Sequence, residues 1–260
     1  MNTGASLLLV WVLAAIAQTL AWRWQQRRRN AGLVDVVWAC GVAGAAVLLA
    51  ALGDGAAIPR VLLAILGGLW GLRLAWHLWR RVRGEHEDGR YAALRERWGD
   101  DPLRWFALFQ AQALLVVLFA LPFAAVARNP VAGPNGFFFA AVLMWAISVA
   151  GETLADAQLA RFRSRPENRG HTMRSGLWRY SRHPNYFFEW LHWFAYVLLA
   201  VGSPIAWLAW AGPLTMYVFL RWLSGIPHTE RQALRTRGDD YRRYQRSTSM
   251  LFPWFPKEPR

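Results

Sequence analysis

Apolar residues run along the chain in blocks, and the charged residues fall between them. A stretch of about 20 apolar residues forms a helix that crosses the ~30 Å hydrocarbon layer of a bilayer. The pattern predicts such helices at 6–22, 33–52, 58–78, 106–126, 137–154, 187–201 and 205–222. The expected fold is all-α: a polytopic membrane helical bundle of seven transmembrane helices, forming one domain over residues 1–260. The last two blocks are short and meet at Gly202-Ser203-Pro204, so a helical hairpin that stops short of the far side is the alternative there. The first block has no basic stretch before it and no small-residue cleavage site, which predicts a retained span rather than a signal peptide.

Charge sets the orientation. The formal net charge is +14, carried almost wholly by arginine. Arg23, Arg27, Arg28 and Arg29 follow the first span, and Arg80, Arg81, Arg83, Arg90, Arg95, Arg97 and Arg104 follow the third. Another run from Arg161 to Arg182 follows the fifth, and the C-terminal tail is basic, whereas the alternate loops hold only Arg60 and Arg128. Cytoplasmic loops are the basic ones, so the N-terminus is expected outside and the C-terminus in the cytoplasm. Because the clusters lie between apolar spans, they point to anionic headgroups or an anionic ligand and not to nucleic acid. A single cysteine, Cys40, excludes a disulfide framework, and no H-E-x-x-H spacing is present, so no metal is expected. No G-x-G-x-x-G and no Walker A loop occur, so any nucleotide must be held by the helices themselves.

Candidate chemistry concentrates in the cytoplasmic segments. In Ser175 to Glu189, Pro184 stands at a helix start beside Arg182 and His183, where free backbone N–H groups and the dipole favour an anion such as a phosphate. Asn185 and Glu189 are four apart and share a helix face, as do Glu152 and Asp156, with Arg163 further along. Carboxylates inside membrane helices are costly and mark either a structural ion pair or a polar ligand. Asp35 is a lone acid in the second span, with Arg73 and His77 in the third as expected partners. The tail from His228, Glu230 and Arg231 through Tyr241 and Tyr244 to Phe252-Pro253-Trp254 reads as an amphipathic helix with an aromatic anchor, or as the cap of a cytoplasmic pocket.

The stretch Gly176-Leu177-Trp178 through Arg182-His183-Pro184-Asn185-Tyr186 to Glu189, with the basic tail ending in Phe252-Pro253-Trp254, resembles the steroid 5-alpha-reductase superfamily and its bacterial members most closely. The isoprenylcysteine and phospholipid methyltransferases carry a similar Arg-His-Pro-x-Tyr; Asn185 together with Glu189 leans toward the reductases. Phe188 stands where many members have Gly. The resemblance implies a seven-helix enzyme of the bacterial inner membrane that uses NADPH to reduce the C=C bond of an enone such as a 3-oxo-Δ4 steroid. It implies cofactor contacts at Asn185, Glu189, Asp156 and Arg163, to which Glu152, Arg174, Tyr180, Arg182, His183, His228, Glu230, Arg231, Tyr241 and Tyr244 are added as candidates. Asp35 matches the family acid near the substrate carbonyl. The family's catalytic Tyr in the third span has no counterpart, the nearest being Tyr91 in the following loop, so Asp35, His77 and Tyr91 are the candidate catalytic groups. The expected partners are a hydrophobic steroid or sterol-like substrate and membrane lipids, and a monomer is expected. Two alternatives stay open: an S-adenosylmethionine-dependent membrane methyltransferase, and a non-enzymatic sterol or lipid binder.

Overall fold

Small and polar residues on one face, large apolar residues on the other, is the pattern of the first helix in the computed structural model, which describes residues 1–84, 87–223 and 225–257. Helix α1 (Thr3–Arg28) shows it plainly. Its inward stripe is Ser6, Val10, Ala14, Gln18, Ala21 and Gln25, while Leu8, Leu13, Ile16 and Leu20 face outward. A water-soluble helix would reverse the two faces. Lipid adds no hydrophobic force between helices, so small residues that allow close approach sit inside and bulky ones meet the acyl chains.

All described secondary structure is helical, with no strand among the described residues. Among the described residues, five helices are long and apolar enough to cross a membrane: α1, α2 (Leu33–Leu52), α3 (Ala57–Gly84), α5 (Pro102–Ala127) and α6 (Gly136–Arg163). Helix α4 (Gly89–Trp98) is short and polar. The two final blocks depart from the expected seven full spans. Helix α7 (Pro184–Leu199) has 16 residues, roughly 24 Å at ~1.5 Å per residue, short of a ~30 Å core. Gly202 then takes φ 98°, a conformation favouring glycine, and ends the run. A 3-10 turn (Ala206–Trp210), helix α8 (Ala211–Val218) and one π turn (Phe219–Leu223) follow. Helix α9 (Ile226–Ser247) is strongly amphipathic and bends at Gly238, where φ is 48°.

The chain forms two compact units, one of Met1–Phe139 with Tyr196–Gly212, the other of Ala140–Ala195 with Pro213–Arg260. In the first, α2 packs on α1, α3 and α5, and α1 packs on α5. The α2–α3 contact is made by small residues. A Cβ built on Gly71 would come within 2.8 Å of Ala43 Cβ, 3.0 Å of the Ala43 amide and 3.1 Å of the Ala39 carbonyl. Gly71→Val is therefore expected to cost about 1–3 kcal/mol through overpacking and to lower the thermal midpoint in detergent. Gly68→Ala meets only Val47 Cγ2, at 3.5 Å, and should leave the midpoint unchanged. Equal midpoints for the two variants would contradict the close α2–α3 packing.

The two arginines of the alternate loops are both used to tie helix ends. Arg60 donates to the carbonyls of Ala50 and Ala51 at the end of α2, and Arg128 pairs with Asp54 at 3.0 Å. Beside them, buried Asn129 donates to the carbonyls of Leu199 and Val201.

In the second unit, the end of α6 leads through 164–183 into α7, and α9 and the tail close over that segment. Trp178 donates its indole N–H to the Ala155 carbonyl at 3.0 Å, and Gln158 Oε1 accepts from the Leu177 amide. Gly176, at φ 59°, lies where a Cβ would run into the Gln158 side chain. The tail is pinned as well: the Trp254 amide donates to the Tyr180 carbonyl at 2.9 Å.

Candidate functional site

Polar side chains gather in two clusters, one in each unit. The first is built on Asp35, in the first turn of α2. Its Oδ1 accepts from the Tyr91 hydroxyl at 2.7 Å and its Oδ2 from Arg90 Nη2 at 3.1 Å. Both donors come from α4. Asp88 caps that helix, accepting from the Arg90 amide at 2.9 Å and from Arg90 Nε at 3.0 Å, and its other oxygen accepts from Arg81 of α3 at 2.6 Å. Helix α4 is tied to the start of α2 by Glu87, which accepts from the Ala31 amide at 2.8 Å and pairs with Arg95 at 2.7 Å, and Arg29 pairs with Asp100 at the surface. Arg95 also lies over the Trp105 ring. Tyr91 packs its ring among Ala31, Val34, Trp105 and Phe109. Burial, and then the Asp35 charge, push its phenol well above the ordinary value of 10, so it keeps its proton at any physiological pH. Asn30, Gly32, Leu78, Val82 and the charged groups around Asp35 line one cleft.

Of the candidate catalytic groups, Asp35 and Tyr91 are thus brought together, whereas His77 lies on the exposed side of α3. Arg90 and Asp88 were missed by sequence reasoning. The available signal was local: Asp88-Gly89-Arg90-Tyr91 sets a helix-capping acid two residues before an arginine.

The second cluster centres on Glu230 in α9. Its Oε1 accepts from Arg182 Nε at 2.7 Å and from the Tyr241 hydroxyl at 3.2 Å, with His183 Nε2 at 3.2 Å, and its Oε2 accepts from Gln245 Nε2 at 2.8 Å. Arg182 also donates to the carbonyls of Gln245 and Thr248, and Tyr244 donates to the carbonyls of Trp178 and Ser181. The His183 ring stacks on Tyr186, whose hydroxyl meets Thr229 at 3.2 Å. Arg182, His183, Glu230, Tyr241 and Tyr244 therefore form a clasp that fastens 176–183 to α9. Arg174 pairs with Asp240 at 2.7 Å in the same fastening. Tyr180 is exposed with its edge toward Phe255, Arg231 is exposed, and His228 is half-buried in the first turn of α9.

Burial raises the Glu230 carboxyl, but the hydrogen bonds from His183 and Arg182 outweigh it and hold the group down from an ordinary 4.5 to about 2. A carboxylate depressed on folding contributes stability above its unfolded pKa and loses it as pH falls toward the folded one. The contribution of Glu230 should therefore be at full strength above pH 4.5 and weaken toward pH 2. Burial also holds His183 below its usual value, against the pull of Glu230, which adds to acid sensitivity. Glu230→Gln is expected to be less stable at neutral pH and to show a flatter decline in acid, as read by thermal midpoints across pH. Parallel declines for the two proteins would remove Glu230 from the centre of the clasp.

Beside the clasp runs a line of polar groups on α6 and α7. Asn185 Nδ2 donates to Asp156 Oδ1 at 3.0 Å, and its own Oδ1 accepts from the Tyr186 amide. Glu152 lies one turn before Asp156, and Glu189 one turn after Asn185. Phe188 packs its ring over Gly151, where a Cβ would come within 2.5 Å of it, so the departure at this position is matched by a glycine on α6. Two members of the cluster were not anticipated. Ser148 continues the α6 line and is fully buried, its hydroxyl without a hydrogen-bond partner among the described residues. Arg237 is half-buried against the Tyr241 ring. Burial first, and the charge of Arg163 at the end of α6 as well, hold its guanidinium below the ordinary value. Two arginines within electrostatic reach of each other suit a polyanion.

The helices and the buried polar line define a multi-pass membrane protein with an internal hydrogen-bonding site. The chain belongs to the DUF1295 family, described as a protein of unknown function, whose model matches residues 21–248 and so takes in both clusters. No match was found among curated proteins or solved structures.

Proposed function

We propose that the chain is an NADPH-dependent reductase of membrane-dissolved enones, with a 3-oxo-Δ4 steroid or similar sterol-like lipid as substrate. The observation that carries the proposal is the 2.7 Å hydrogen bond from Tyr91 to Asp35. The resemblance to the steroid 5-alpha-reductases calls for a tyrosine and a membrane acid at the substrate carbonyl. The third span has no tyrosine, and α4 supplies one from just beyond it.

The second unit fits NADPH in its donor and acceptor chemistry. Asp156, Glu152 and Glu189 suit ribose hydroxyls and a carboxamide N–H, Asn185 offers both a donor and an acceptor, and Arg163 with Arg237 suits phosphates, including the 2′-phosphate. Bound NADPH would supply hydride to the β-carbon of the enone. Negative charge then develops on the carbonyl oxygen. A protonated phenol, shielded from water, stabilises such an oxyanion by a hydrogen bond that strengthens as the charge grows. Tyr91 is that phenol: its one proton rests on Asp35 Oδ1 in the structure, and the hydroxyl turns from Asp35 to the carbonyl oxygen when the enone binds. A proton from solvent completes the α-carbon. In the same proposal, α7 and the segment 205–222 are shortened sixth and seventh crossings of a bacterial inner membrane, with the arginine-rich connections in the cytoplasm and the N-terminus outside.

Mass spectrometry of the denatured extract of detergent-purified protein tests the cofactor. NADPH or NADP⁺ recovered near one per chain supports the reductase. S-adenosylmethionine or its demethylated product in its place would replace it with a methyltransferase.

A further inference from the structure

Ser148 sits near the middle of α6, between Gly136 and Arg163 at its two ends, roughly 18 Å along the axis from the first and roughly 22 Å from the second. Leu143, Ile147 and Leu154 of the same helix face outward, whereas Ser148 is completely buried. Its hydroxyl has no hydrogen-bond partner among the described residues. Other helical hydroxyls of this chain behave differently. Thr19 and Thr153 each donate to the carbonyl four residues back at 2.7 Å, Thr236 does so at 3.0 Å and Thr229 at 3.1 Å. That back-bond is the local alternative open to a hydroxyl on a helix, and Ser148 does not make it. A buried polar group that makes no bond costs stability and calls for an explanation. Polar side chains inside membrane helices mark functional sites.

The helix face that carries Ser148 continues toward Arg163 through Gly151, Glu152, Ala155 and Asp156. Helix α7 packs on it: the Phe188 ring lies where a side chain at Gly151 would be, and Asn185 Nδ2 donates to Asp156 Oδ1 at 3.0 Å. Carboxylates accept hydrogen bonds and do not donate them, so Glu152, Asp156 and Glu189 make this line rich in acceptors. The amide donor of Asn185 is engaged by Asp156. Ser148 adds an O–H donor at the end of the line furthest from Arg163. We infer that Ser148 is a further cofactor-binding residue, whose hydroxyl donates to the carboxamide oxygen of the nicotinamide. The inference rests on the reductase proposal and says which end of the α6 line holds the reacting ring. Arg163 and Arg237 suit the phosphates at one end, and a carboxamide at the other needs a donor for its oxygen and an acceptor for its N–H. Ser148 supplies the donor, and Glu152, one turn along, supplies the acceptor. This order also carries the nicotinamide to the middle of a membrane helix, the depth at which a lipid-dissolved enone is met.

The test measures binding of NADPH and of its thionicotinamide analogue to wild type and Ser148→Ala in detergent, with thermal midpoints taken in the absence of nucleotide. The analogue carries sulfur, a weak acceptor, in place of the carboxamide oxygen. Ser148→Ala is expected to weaken NADPH binding about tenfold, the loss of one hydrogen bond. Wild type should bind the analogue more weakly than NADPH, and Ser148→Ala should bind the two within about a factor of two of each other. The midpoint of the empty variant should not fall, because the substitution removes a hydroxyl that makes no bond in the protein. A hydroxyl with a purely structural role would give the opposite pattern, a lower midpoint and equal losses for both nucleotides, and that result would overturn the assignment. Wild-type NADPH affinity in Ser148→Ala, or discrimination between the nucleotides retained without the hydroxyl, would also overturn it and leave the reductase proposal standing. A wild-type protein that binds neither nucleotide would overturn the reductase proposal and this inference with it.

Discussion

Tyr91→Phe is expected to lower enone turnover by about 10²–10³, the range for losing one hydrogen-bond donor to a developing oxyanion, while NADPH binds as in wild type. The substitution removes one oxygen atom and keeps the ring packed among Ala31, Val34, Trp105 and Phe109. The lost oxygen is the donor to Asp35 at 2.7 Å. It is also the only tyrosine hydroxyl in that cluster. Asp35→Ala should give a loss of the same order, since it leaves Tyr91 without its acceptor and Arg90 without its carboxylate. The double variant should be little slower than either single one, because residues that act as a unit are not additive. Turnover within a factor of two of wild type in Tyr91→Phe would reduce the Asp35–Tyr91 bond to a helix fastening between α2 and α4.

The second large effect concerns cofactor binding. Glu189→Ala and Asn185→Ala are each expected to weaken NADPH binding tenfold to a hundredfold, roughly the 1.5–3 kcal/mol of a hydrogen bond to a charged group. Asn185 holds Asp156 at 3.0 Å, so its loss also frees the α6 acid from its α7 partner. Asn185→Ala should also lower the thermal midpoint, because Asp156 loses its α7 donor, so affinity is read below the midpoint of each variant. Titration of nicotinamide fluorescence reads the affinity directly. Wild-type affinity in both variants would remove the α6–α7 line from the cofactor site.

Helix existence was legible where apolar blocks were long. The block at 33–52 coincides with α2, and the first block lengthens at both ends into α1, since Arg23, Arg27 and Arg28 continue a helix whose side chains reach out to the headgroups. The last two blocks were legible only as apolar. Their breaks depend on Gly202, on a 3-10 turn and on a π turn, none of which alters hydropathy. The candidate site divided in the same way. Local spacing along a helix brought out Glu152 with Asp156 and Asn185 with Glu189. It pointed Asp35 toward Arg73 and His77, because those also follow a four-residue spacing inside a span. The bonds to Arg90 and Tyr91 join residues 55 and 56 positions apart. They depend on how α4 folds back beside the start of α2, which no local pattern encodes. The clasp has the same origin: Arg182 and His183 read as an anion site at a helix start, whereas Glu230, 48 and 47 positions away, fills that place with a carboxylate of the protein itself.

The most direct measurement is the consumption of NADPH, followed by its nicotinamide absorbance, by detergent-purified protein given progesterone or testosterone, with NADH as the control. An NADPH-dependent reductase of enone lipids consumes NADPH only when steroid is present, favours it over NADH and yields the saturated ketone. Consumption of neither nucleotide, together with no NADPH binding, would be incompatible with the function proposed for this chain.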